Sequence, residues 1–352
     1  MKRRDFLKTG LKIGVAANTL PVLLGGLPIR AFGRSPLRSL LEASGSTNNN
    51  VLVIIQLQGG NDGLNCVVPT SSSPQYANYK QLRPTLGLFG SDITGPLPDH
   101  QSLAFHSAMG DFLTLYGNGG GNGPMAILQN VGYPNPILSH FRGTDVWNTA
   151  TDSGIYATTG WVGRFLANQY GAPQTGAGNW PLGIEFGNAL SDIFLGANGG
   201  MGIAINKIPS GPGGSTNDYD AIPSDPTTQY EELAFVRLIQ QEANIYASTI
   251  YGRSVKTNKV TYPSSTLAIQ LAGVAQMIAS QLLNGSVQTK IYLVTQGSYD
   301  THADQISRQA SLLTDLSAAV LAFQQDLEAF GTVNGANMAD TVAMMTYSEF
   351  GR

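Results

Sequence analysis

Charge is scarce in this chain. Asp, Glu, Lys and Arg make up 12% of its 352 residues, against roughly 25% in an average soluble protein. No basic cluster occurs after residue 40 and the formal charge is −3, which excludes electrostatic docking on nucleic acid. Cysteine is nearly absent too. Cys66 stands alone, so no disulfide can form within the chain, and its largely apolar setting in 64–68 suits a buried, inert thiol. There is no internal repeat, and no Gly-x-Ser-x-Gly elbow marks a serine hydrolase. In place of charge the surface must be built from Gly, at 42 copies, with Asn, Ser, Thr and Gln.

Lys2, Arg3 and Arg4 precede Asp5-Phe6-Leu7-Lys8 and a mildly apolar run from Leu11 to Leu27, broken by Lys12, Asn18 and Pro21. Paired arginines with Phe-Leu-Lys are the pattern of a twin-arginine export signal, and the run is too short and polar to span a bilayer stably. The expected organisation is a signal peptide over 1–33, a linker over 34–50 and an α/β domain over 51–352. The twin-arginine machinery is then a partner, and the periplasm or the exterior the destination.

In VLVIIQLQGGNDGLN, residues 51–65, an unbroken β-branched run leads into glycines and polar side chains. Apolar residues on both faces suit a central strand of a parallel sheet covered by helices, and ligands bind such sheets beyond the carboxyl ends of the strands. Asn61 and Asp62 would stand at that edge, although Asn-Asp-Gly is equally turn chemistry. Further strands are expected at Met125–Val131, Leu182–Phe186, Ile291–Thr295 and Thr341–Tyr347. Helices are expected at Pro74–Leu82, Phe105–Tyr116, from Ser139, at Gly160–Gln169, Gln229–Tyr251, Thr266–Leu283 and Asp304–Phe330. The Gly-, Asn- and Pro-rich stretch 187–225 reads as a surface excursion or lid. Alternating strands and helices predict an α/β sandwich with a mostly parallel sheet. A strand so close to residue 352 gives that domain the look of an incomplete one.

Polar groups follow four of the expected strands: Asn61 with Asp62, Ser139, Asp300 with His302, and Ser348 with Glu349. Carboxylates and an imidazole converging from separate strand ends suit a divalent cation such as Zn²⁺ or Mn²⁺. Residues two apart in extended chain point the same way, so Asp300 and His302 can ligate together. Ser139 at a helix start is either an N-cap or a nucleophile activated by a nearby cation. His140 and Arg142 follow it, and Arg142 could clamp an oxyanion.

The motifs QLQGGNDGLN at 56–65, VGYPNPILSHFRGTDVW at 131–147, TGWVGRFL at 159–166, YDTHADQ at 299–305 and YSEFGR at 347–352, behind a twin-arginine start, resemble a bacterial family called domain of unknown function 1501. That family is grouped remotely with the alkaline phosphatase and sulfatase superfamily. The resemblance implies an alkaline-phosphatase-like fold and an exported, metal-dependent hydrolase of phosphate or sulfate esters. Its ligands would be Asp62, Asp300, His302 and Glu349, to Zn, Mn or Ca, with Ser139 as nucleophile and Asn61, His140 and Arg142 on the substrate. Phe350 stands where sulfatases carry a histidine, and the family's later Gly-Thr-Asp-His-Gly motif is not in the chain. A catalytically silent, secreted binding or structural protein of the same fold is the alternative expectation.

Overall fold

Strand β1, Val51–Leu57, is buried at all seven positions. In the computed structural model it lies between two parallel neighbours, as its two apolar faces require. The structure describes residues 23–24, 27–28, 49–117, 123–171, 179–197, 199–209, 245–252 and 257–351. The chain divides into two compact units, Met1–Glu42 and Ala43–Arg352. In the first, Leu23–Leu24 and Leu27–Pro28 pair antiparallel, and the twin-arginine motif lies outside the described residues.

The second unit is an α/β fold around a five-stranded sheet. Strands β2 (Gly183–Phe186), β3 (Ile203–Ile205), β4 (Ile291–Gln296) and β5 (Val342–Tyr347) join β1 in the order β5-β1-β4-β2-β3. Every pairing is parallel. The connecting helices are α1 (Tyr76–Leu82), α2 (Gly110–Gly117), α3 (His140–Thr149), α4 (Trp161–Tyr170), α5 (Thr266–Leu283) and α6 (Gln305–Phe330). Val51, Val53, Ile55 and Leu57 share one core with Leu271, Val274 and Ile278 of α5 and Leu313, Leu316 and Phe323 of α6. Among the described residues α5 alone is long and apolar enough to cross a membrane, and two thirds of it is buried in this packing.

Asp326, fully buried on α6, ties the chain ahead of α5 to that helix. Its carboxylate accepts from Lys259 N at 2.7 Å, Asn258 Nδ2 at 2.7 Å and the Tyr262 hydroxyl at 3.0 Å. A buried carboxylate with three donors is satisfied, so it braces rather than strains the fold.

Two expectations are corrected. Met125–Val131 is not a strand: Met125 and Ile127 pack on the core, while Leu128 is 84% exposed and the segment has no strand pairing. Conversely, the excursion predicted over 187–225 contains β3, whose residues pair with Ile184–Phe186 of β2. Residues 198 and 210–225 lie outside the described residues, as does 229–244 of the helix predicted at Gln229–Tyr251; residues 245–251 of it are helical.

Candidate functional site

The loops leaving β1, β4 and β5 at their carboxyl ends are stitched to one another. Gln58 N donates to Gln296 O and Tyr299 N to Gln58 O, joining the β1 and β4 loops. Ser348 Oγ donates to Leu57 O at 2.6 Å and accepts from Asn61 N at 2.9 Å, joining the β1 and β5 loops. Gly59 N donates to Glu349 Oε1 at 2.8 Å. Such close approach explains the paired glycines. At Gly59 (φ +124°) a Cβ would lie 2.3 Å from Asp300 N, and at Gly60 (φ +79°) it would lie 2.3 Å from the Phe350 ring. Neither backbone angle nor space admits a side chain there.

Helix α3 closes on this junction. Ser139 caps it, its Oγ accepting from Arg142 N at 3.5 Å, and Gly143 lets the helix approach Glu349 O, which a Cβ would reach at 3.0 Å. This seats His140 over the loops. Its Nδ1 lies 2.8 Å from Oε1 of Glu349, which is 1% exposed. Its Nε2 lies 3.6 Å from Asp300 Oδ2, and Phe350 packs on the ring with centroids 4.8 Å apart. Asp300 Oδ1 in turn meets His302 Nε2 at 2.9 Å, well out in solvent. Each ring nitrogen therefore faces a carboxylate oxygen, Nδ1 closely and Nε2 at longer range, and the imidazole is held between two acceptors.

These groups edge an open cleft of about 560 Å³ beyond the carboxyl ends of the strands, where open α/β sheets bind ligands. Gln58 and Gly59 line it from β1, Asp192 from the turn after β2, Ser298 and Asp300 from β4, and Glu349 from β5. Helix α3 adds His140, Phe141, Thr144, Asp145 and Asn148. Their spacing by three and four, legible in the sequence, places them on one helical face. Among the described residues no Lys or Arg lines the cleft.

Only part of the expected site assembles. His140, Asp300, His302 and Glu349 come together, but Asp62 does not join them. Its carboxylate, 3% exposed, pairs with Arg83 and accepts from Gln305 Nε2, while Gln309 Nε2 donates to its carbonyl. Burial pushes the Asp62 carboxyl above its ordinary range, with Arg83 and Gln305 pulling the other way. Among the described residues no group of three or more His, Cys, Asp and Glu could hold a metal ion. Asp62 is held by Arg83 and Gln305 instead of facing Asp300, His302 and Glu349.

Local bonding sets the roles of three other residues. Arg142, predicted as an oxyanion clamp, spends its guanidinium on Ser153 O and Ile155 O and lies 3.9 Å over the Tyr156 ring. The Asn61 side chain turns to Cys66 and Gln309 rather than to the cleft. Ser139 serves as the cap and is not among the lining residues. Cys66 is half-buried, and burial pushes its thiol up to about 12, consistent with the inert role expected of it. No protein-family model, curated protein or solved structure matches the chain.

Proposed function

We propose that the chain is a hydrolase of phosphate or sulfate esters, with His140 as the proton-handling group of the cleft and Glu349 as the residue that holds it. The observation carrying this reading is the 2.8 Å contact between His140 Nδ1 and the buried Glu349 carboxylate. A carboxylate held on Nδ1 favours a proton there and fixes the ring's orientation, so that Nε2, on the Asp300 side, takes a proton from an attacking water and returns it to the leaving oxygen. The amino end of α3 opens on the same cleft, so its dipole favours negative charge growing on the ester. The motif resemblance to the domain of unknown function 1501 family supports the same reaction class. With it go an alkaline-phosphatase-like sheet and twin-arginine export to the periplasm or beyond.

Charge sets a condition on turnover. Asp145, Asp192, Asp300 and Glu349 line the cleft, and among the described residues Arg142 lies 3.7 Å from Asp145. A phosphate or sulfate dianion is repelled there unless a cation accompanies it. The test is turnover of chromogenic phosphate and sulfate esters by chelator-rinsed protein, alone and with added Zn²⁺, Mn²⁺ or Ca²⁺, alongside metal analysis. His140→Ala is expected to lose about 100-fold or more in kcat, as general acid–base groups do, and Glu349→Gln to lose activity with little change in KM. Ser139→Ala is expected to cost about 1 kcal/mol of stability as a lost cap and to keep turnover. Absence of turnover under every cation, or His140→Ala at wild-type rate, overturns the proposal.

A further inference from the structure

We infer that the alcohol half of the substrate is a sugar ring, stacked on Phe141 and hydrogen-bonded by the polar residues of α3. The inference rests on reading the cleft as the reacting site. Phe141 is one residue from His140, lines the cleft and is 89% exposed, although its helix carries buried Val146 on another face. Other large apolar side chains are exposed too, among them Leu82, Leu128 and Tyr156; what sets Phe141 apart is its place in the cleft lining next to His140.

The remaining lining decides what covers it. An acyl chain needs aliphatic walls, and among the described residues no Leu, Ile, Val or Met lines the cleft. Instead Gln58, Thr144, Asn148, Asp192 and Ser298 surround it with amide, hydroxyl and carboxylate groups. A pyranose matches both surfaces. Its C–H face lies against the negative face of an aromatic ring, and its edge hydroxyls both donate to carboxylates and accept from amides.

The test needs no turnover: ligand-observed NMR on the whole protein with a panel of neutral mono- and disaccharides, with free 4-nitrophenol as an aromatic control. Saturable binding of at least one sugar, weakened about tenfold in Phe141→Ala and retained in Phe141→Trp, is the expected result; tenfold corresponds to about 1.4 kcal/mol, near the value of one aromatic contact. Because Phe141 is so exposed, its variants are expected to keep the wild-type circular dichroism and melting point. Binding of 4-nitrophenol without any sugar, or sugar binding indifferent to Phe141→Ala, overturns the inference. Sugar binding without ester turnover sinks the hydrolase and leaves the sugar site standing. Turnover that no sugar binding accompanies does the reverse.

Discussion

Gly59→Ala tests the junction on which the site is built. In the folded chain residue 59 has φ +124°, and its added Cβ would stand 2.3 Å from Asp300 N, 2.7 Å from Tyr299 C and 2.9 Å from Tyr299 N. All three are backbone atoms, so no side chain can swing aside. Ordinary carbon contacts begin near 3.5 Å, which asks the β4 loop to retreat by roughly 1 Å. The unfavourable backbone angle adds about 1–2 kcal/mol and the forced displacement about 1–3 kcal/mol, for a sum of roughly 2–5 kcal/mol. For a chain of this size that lowers the melting point by roughly 4–8 °C. The retreat also carries Asp300 off His140 and pulls Gly59 N from Glu349, and a 1 Å misplacement costs roughly 100-fold in rate. Gly63→Ala is the control. A Cβ there meets nothing within 4 Å, and its effect is expected within about 0.5 kcal/mol. Calorimetry and ester turnover on the two variants decide it: Gly59→Ala melting within about 1 °C of wild type would refute the close-approach reasoning.

Lys290 carries a pH prediction. Burial lowers its ammonium to about 8 from 10.5, so between those values the unfolded chain binds more protons than the folded one. Stability therefore falls as pH drops from about 10.5 to 8 and stays low beneath it, by roughly 3 kcal/mol at 1.36 kcal/mol per pH unit. Lys290→Met is expected to raise the melting point more at pH 7 than at pH 10; an equal effect at both would count against it. Asp326→Ala removes the acceptor of three bonds and is expected to cost roughly 3 kcal/mol or more in urea unfolding, whereas a loss below about 1 kcal/mol would mean the segment 258–262 is held otherwise. Cys66, pushed up to about 12, is expected to react with a disulfide reagent at pH 8 only after denaturation. Fast labelling of the native protein would contradict that.

Amino-acid pattern alone determined those parts of the fold whose energetics are local or one-sided. The run from Val51, apolar on both faces, could be stable only as a covered central strand, and the long apolar periodicities of 266–283 and 304–330 could be stable only as packed helices. The polar loops at the strand ends were legible for the same reason, since glycine and short polar residues mark where a strand must stop. Pairing was not legible. Met125–Val131 and Ile203–Ile205 are both short apolar stretches, but only the second has a neighbouring strand edge to complete it. Backbone hydrogen bonds between strands depend on what lies beside them, not on the residues themselves.

The site divides along the same line. Sequence pointed to Asp62, His140, Arg142, Asp300, His302 and Glu349 as polar groups near strand ends, yet which of them meet was set by tertiary neighbours. Arg83, 21 residues on, takes Asp62 out of the cluster, and backbone carbonyls at Ser153 and Ile155 take Arg142. Glu349 reaches His140 across 209 residues because Gly59, Gly60 and Gly143 let three backbones touch. A buried charge is held by whatever partner the fold brings within about 3 Å. Chain order names the candidates for that partner, and only packing chooses among them.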